Sequence, residues 1–156
     1  MNDSAGIQAR STMTLADICK ILNAEVICGE DKLDEQVTTA CGCDLMSDVL
    51  AFTLPGSILL TGLTNQQVVR TAEMLDLKAV IIVRNKRPDE SMVELACSKG
   101  LPILLSPYPL YECCGMLFAA GLKGCNGSVH AKDESSQKIE PAKPGEMTCG
   151  APGLGD

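Results

Sequence analysis

The sequence predicts a three-layer α/β domain with a mostly parallel central sheet, and three observations predict it. Ser57 to Thr61, Ala79 to Val83 and Pro102 to Leu105 are short, continuous apolar runs, the pattern of strands buried on both faces beneath covering helices. Two segments of helical periodicity, Asn65 to Leu75 and Asp89 to Lys99, lie between those runs. Strand and helix alternating in this way require right-handed βαβ crossovers.

Taken in order, the elements begin at Thr14. Asp17 stands three residues on, in capping-box spacing, and Leu15, Ile18, Cys19 and Leu22 follow at helical intervals. Glu25 to Cys28 is a short strand ending at Gly29, with a polar turn through Asp31 and Lys32. Val37 to Gly42 is expected as a second strand, and Asp44 to Ala51 as a short helix closed off by Pro55-Gly56. Thr64 and Gln67 stand in capping-box spacing at the start of the next helix. Pro88 precedes the one after, and Gly100 ends it. A last helix begins near Pro109, with Leu110, Cys113, Cys114, Leu117, Phe118 and Gly121 on one stripe.

Composition sets the limits of the domain. Beyond Lys123 the chain is rich in Gly, Pro, Ser, Lys and Glu. Such a stretch buries too little surface to offset its ordering entropy, so residues 123–156 are expected to be a disordered tail. Residues 1–12, polar and without the apolar centre of a signal peptide, are expected to be a flexible N-terminal segment. The folded domain is therefore expected over residues 13–122. Apolar residues make up 46% of the 156, enough for a core, but aromatics only 3%, so that core is aliphatic.

The net charge of −7 opposes a phosphate backbone, and stacking aromatics are nearly absent, which argues against nucleic-acid binding. No apolar run reaches membrane-spanning length and no basic amphipathic helix is evident. A cytoplasmic location is expected, with the nine cysteines reduced.

In open α/β sheets a ligand sits beyond the carboxyl ends of the strands. That places Thr61-Gly62-Leu63-Thr64-Asn65, Arg84-Asn85-Lys86-Arg87 and Ser106-Pro107-Tyr108 at the rim. Thr61, Gly62, Asn65, Arg84 and Lys86 are the candidate ligand contacts, because cations beside helix N-termini suit a phosphate or carboxylate. Asp44 and Asp48, at i and i+4, would share a helix face and could take a cation or a ligand hydroxyl. Each residue also has a plain structural role open to it, as cap, turn or solvated charge.

Chemistry-bearing constellations are sparse. Cys41 and Cys43 form a C-x-C pair and Cys113 and Cys114 are adjacent, but no C-x-x-C occurs, so no metal or iron–sulfur site is expected. Cys19, Cys113 and Cys114 read as small apolar residues; Cys41 and Cys43 are open to a redox role. The single histidine, His130, lies in the expected tail, and Cys125 and Cys149 with it. Neither a P-loop nor a G-x-G-x-x-G fingerprint is present. No catalytic residues and no cofactor are expected.

The run from Ser57 to Gly62, with Thr71-Ala72-Glu73-Met74-Leu75, Ala79 to Val83 and Gly100 to Ser106, resembles the DRTGG domain family. Asp44-Leu45-Met46-Ser47-Asp48-Val49-Leu50-Ala51 is similar to its small stand-alone members, found beside iron-only hydrogenase and related redox genes in anaerobes. Thr61-Gly62 keeps the Thr-Gly of the name, and Leu63 stands where a second Gly would follow. The resemblance implies a fold similar to the N-terminal domain of HPr kinase, without its P-loop kinase domain. It also implies the regulatory, dimer-forming role such domains have beside phosphotransacetylases and CBS-containing pyrophosphatases. The expectation is a non-catalytic regulatory or sensory domain that binds a small anionic ligand, with a nucleotide among the candidates. It would act through a homodimer or a partner, a hydrogenase or other redox enzyme among them. Two alternatives stand beside it: a ligand-free assembly domain, and a thiol-based redox or iron–sulfur-associated protein using Cys41 and Cys43.

Overall fold

The computed structural model describes residues 13–125. Their elements run β1 (Met13–Thr14), α1 (Leu15–Leu22), β2 (Glu25–Cys28), β3 (Gln36–Val37), β4 (Thr39–Gly42), α2 (Met46–Phe52), β5 (Ile58–Thr61), α3 (Gln66–Met74), β6 (Ala79–Ile82), α4 (Glu90–Lys99), β7 (Ile103–Leu105), α5 (Leu110–Ala119) and β8 (Lys123–Gly124).

Six strands form the central sheet in the order β2-β7-β6-β5-β4-β8. Neighbours pair in parallel except β2, which runs antiparallel to β7 at one edge. The three apolar runs are the heart of it: every residue of β5, β6 and β7 is buried. Successive side chains of a strand point to opposite faces, and the core divides accordingly. Leu59, Val80, Ile82, Ile103 and Leu105 meet Val49, Val68, Ala72, Met92 and Ala96 from α2, α3 and α4. Ile58, Leu60, Ala79, Ile81 and Leu104 meet Leu15, Ile18 and Leu22 of α1 and Cys113 and Leu117 of α5. The molecule is thus three layers, helix on sheet on helix, as the sequence predicts. Sequential strands β4 to β7 lie side by side, so α2, α3 and α4 share one face; α5 crosses the other face to bring β8 beside β4.

Local signals explain most boundaries. Thr14 Oγ1 accepts the Asp17 N–H at 3.2 Å while the Asp17 carboxylate accepts the Thr14 N–H at 3.0 Å, a reciprocal capping box. The Thr14 N–H, with the Thr14 hydroxyl beside it, holds the Asp17 carboxyl below its ordinary value of 3.8. Gly100 ends α4 in the left-handed conformation, φ 66°.

Four expectations need correction. Val37 to Gly42 is not one strand: Thr38 breaks it, sending β3 to pair with β1 and β4 into the main sheet. Asn65, not Thr64, caps α3, its Oδ1 accepting the Gln67 N–H at 3.1 Å, and the Thr64 carbonyl is taken by the Asp89 N–H. Phe118 leaves the buried stripe of α5 and is 65% exposed. Lys123 and Gly124 belong to the sheet, paired with Thr39 and Ala40, so the fold runs past Leu122. Residues 1–12 and 126–156, with His130 and Cys149, lie outside the described residues.

Candidate functional site

Because β4 to β7 are parallel, their carboxyl ends open on one rim, and the loops that follow them meet there. Asp44 organises the first two. Its Oδ1 accepts the Thr61 hydroxyl at 2.8 Å and the Gly62 N–H at 2.7 Å. Thr61 Oγ1 in turn accepts the Leu63 N–H at 3.2 Å. The hydroxyl is buried and both of its capacities are used, so Thr61 shapes the rim rather than offering a free donor. A charged acceptor on a backbone N–H makes a stronger bond than a neutral one, and Asp44 thereby fixes the turn from β5 into α3.

Lys86 reaches the same turn from the β6–α4 loop, donating to the Gly62 carbonyl at 3.3 Å. A methyl group at Gly62 would sit 3.6 Å from both the Lys86 ammonium and the Asp44 carboxylate. That is ordinary contact distance: space between cation and carboxylate is modest, and Gly62 is not demanded by backbone strain.

The loop that carries Lys86 is strained. Arg84 and Asn85 have φ of 60° and 56°, and the Lys86 N–H closes on the Val83 carbonyl at 3.3 Å, a tight turn with two left-handed residues. The Arg84 N–H donates to the Tyr108 carbonyl at 2.9 Å and the Asn85 N–H to the Ser106 carbonyl at 2.8 Å. The β7–α5 loop thus clamps the turn. An arginine in the left-handed region costs about 1 kcal/mol, and the strained pair displays its side chains to solvent.

The three cations of this loop separate in role. Arg87 pairs with Glu25 of β2 at 3.3 Å, whereas Arg84 and Lys86 are exposed and in no ion pair among the described residues. The structure brings together Asp44, Thr61, Gly62 and Lys86, with Arg84 on the adjoining turn. It does not bring Asp48 in. Helix α2 starts at Met46, one residue after its cap Leu45, so Asp44 lies off the helix and the i, i+4 carboxylate face does not form. Asn65 spends its side-chain oxygen on capping.

A second feature escaped the sequence reading. A groove of about 760 Å³ lies between α5 and the β4–β8 edge, walled by Ala40, Gly42, Leu60, Met116, Phe118 and Lys123 among others. Tyr111 is 87% exposed at its rim, and the Lys123 ammonium sits 5.4 Å from the Phe118 ring centre. Gly42 has a steric reason to be glycine: a Cβ there would fall 2.6 Å from Cys114 Sγ. The missed signal was in α5 itself, LYECCGMLFA, apolar on nearly every side. Such a helix has more faces to bury than one sheet covers.

Among the described residues, no three His, Cys, Asp or Glu gather in a way that holds a metal ion. Burial pushes the thiols of Cys41, Cys113 and Cys114 above their ordinary range, and that of Cys28 up to about 11. Such thiols lose their protons less readily than an exposed cysteine and react more slowly. No helix of the described residues is long and apolar enough to cross a membrane.

The family model described as "DRTGG domain" matches residues 17–120. Among solved structures, the chain is similar to the CBS and DRTGG domains of the regulatory region of Clostridium perfringens pyrophosphatase, complexed with the activator diadenosine tetraphosphate. The TM-score is 0.56 at 15% identity, over 69% of this chain and 46% of that one. This chain thus spans less than half of that regulatory region, and the likeness is one of fold. No curated protein matches the chain.

Proposed function

The chain belongs to the DRTGG domain family, and from that premise we propose that it is a regulatory domain that binds a small anionic ligand. Its binding site is the rim formed by Arg84, Lys86 and the Gly62 turn, with a nucleotide phosphate as the first ligand to test. One observation carries the reading: two exposed cations, Arg84 and Lys86, stand free of ion pairs among the described residues, on a strained and clamped turn beyond the carboxyl ends of the parallel strands. Strain that surrounding bonds over-determine is a mark of functional loops, and two cations left outside ion pairs among the described residues give the rim a local positive field that suits an anion. On this reading the ligand meets cations and backbone, and the domain senses it rather than transforming it. The Clostridium perfringens region is regulatory and holds a nucleotide activator, which agrees with this class of ligand.

The test is thermal. Binding to the folded state alone raises Tm. Adenine nucleotides and acyl phosphates, tried in turn, are expected to raise the Tm of the wild type and not that of the Arg84→Ala/Lys86→Ala double variant. A wild type whose Tm no anion moves refutes the reading.

The groove favours a second reading, in which the domain passes its signal by assembly. Tyr111 and Phe118 offer aromatic anchors of the kind that dominate interfaces. On this reading α5 packs against a second copy, and a redox enzyme such as a hydrogenase is the partner the pair serves. A strictly monomeric chain across the micromolar range, by sedimentation, contradicts the homodimer.

A further inference from the structure

The last described strand sets two thiols side by side. β4 and β8 run parallel with Thr39 opposite Lys123 and Ala40 opposite Gly124. Cys125 follows directly on β8, one step past the Ala40–Gly124 pair, and its Sγ lies 3.7 Å from the carbonyl of Ala40, the neighbour of Cys41. Side chains alternate along β4: Ala40 packs toward the α1–α5 side, while Cys41 packs with the core beneath α2, α3 and α4. Cys125 turns to that same side. Its Sγ lies 3.2 Å from Ser57 Oγ, and the Ser57 hydroxyl in turn bonds Thr39 Oγ1, two residues before Cys41 on the same face. If that register is carried one step on, residues 41 and 125 stand about 5 Å apart, inside the range of roughly 4.4–6.8 Å between Cα atoms that a disulfide spans. Both thiols are half-buried and neither is closed off.

We propose that Cys41 and Cys125 form a reversible disulfide that fastens β8 to the edge of the sheet. This places the redox chemistry across two strands rather than within the Cys41-Gly42-Cys43 pair. Cys43 packs on the same side as Cys41, but its Sγ is engaged locally, accepting the Leu45 N–H and donating to the Leu45 carbonyl, each at 3.4 Å. The bond matters because β8 supplies Lys123 and Gly124 to the wall of the groove. Reduced, the wall is a two-residue strand on an open edge; oxidised, it is tied to β4. The oxidant is a low-molecular-weight disulfide. The Cys125 thiolate attacks one of its sulfurs, expels one thiolate and leaves a mixed disulfide on Cys125. The Cys41 thiolate then attacks Cys125 Sγ and expels the second thiolate. Two electrons pass from the protein to the oxidant, and the two protons lost by the cysteines go to the released thiols.

The test uses the full chain, reduced without air and then exposed to oxidised glutathione. After alkylation of free thiols and digestion without reductant, mass spectrometry is expected to find the Cys41-bearing peptide linked to the Cys125-bearing one. Cys43→Ser retains the link and Cys125→Ser abolishes it. Oxidation is expected to raise Tm by about 10 °C, since the bond closes a long loop. Free Cys41 and Cys125 in the oxidised sample, a dominant Cys41–Cys43 bond, or a linked protein that melts with the reduced one would each overturn the proposal. None of these outcomes depends on anion binding at the rim.

Discussion

The rim and the groove lie on the same sheet and solve opposite problems. At the rim, polar groups outnumber apolar ones, and almost all of them are consumed locally: Asp44 by Thr61 and Gly62, Asn65 by Gln67, the Arg84 and Asn85 amides by the β7–α5 loop. What remains for a ligand is charge, carried by Arg84 and Lys86. In the groove the walls are aliphatic and aromatic, hydrogen bonds are few, and what remains is area. Charge gives selectivity and responds to substitution one residue at a time; apolar area gives affinity spread over many contacts. On the proposed reading, the difference suits the two regions to different tasks, ligand choice to the rim and association to the groove.

The comparison breaks most visibly at Asp44. Asp44→Ala removes the acceptor of two hydrogen bonds and leaves the buried Thr61 hydroxyl without its partner. It is expected to destabilise the domain by about 2 kcal/mol in urea denaturation, with Asp44→Asn costing about half as much. A neutral Asp44→Ala would mean that the rim is not held by this carboxylate. Next comes the groove. Tyr111→Ser with Phe118→Ser is expected to weaken self-association by about 2 kcal/mol, roughly 30-fold, and to leave monomer unfolding within about 0.5 kcal/mol of wild type. Sedimentation velocity and denaturant titration separate the two effects.

Arg84→Gly sharpens the rim from both sides. It relieves the left-handed backbone and is expected to stabilise the fold by about 0.5 kcal/mol while weakening anion binding about tenfold. A variant that gains stability and keeps full binding would remove Arg84 from the site. The smallest effect is at Asp17, which lines neither the rim nor the groove and so serves as a control. Its carboxyl is held below its ordinary 3.8 by the Thr14 N–H and hydroxyl. The contribution is therefore whole above that value and is lost as pH falls through the lower, folded one. The stability gap between wild type and Asp17→Asn is expected at neutral pH and to close as pH falls below the ordinary carboxylate value of 3.8 and through the lower, folded one.

The layers of this fold were legible because buried parallel strands and amphipathic helices carry long, redundant patterns. Ile58 to Thr61, Ala79 to Ile82 and Ile103 to Leu105 could hardly be anything else. Short-range choices were less legible. Thr64 and Asn65 are both good caps, and only the geometry of the turn after Gly62 selects Asn65. Lys123 and Gly124 carry no apolar signature, since an edge strand of two residues is made by its neighbour β4 rather than by its own side chains. Of the candidate site, the sequence placed Thr61, Gly62, Arg84 and Lys86 on one rim. It set Asp44 there for the wrong reason, as a helix residue beside Asp48. Phe118 was assigned to the core because a helix with apolar residues all round does not declare which face the sheet will take.

Isothermal titration calorimetry at the rim tests the account most directly. Adenosine triphosphate titrated into the full chain, and into the Arg84→Ala/Lys86→Ala variant of unchanged Tm, is predicted to give saturable heat with wild type and affinity at least about tenfold weaker with the variant. Equal affinity for the two proteins, or no heat from the wild type with this nucleotide, its diphosphate or acetyl phosphate, would contradict it.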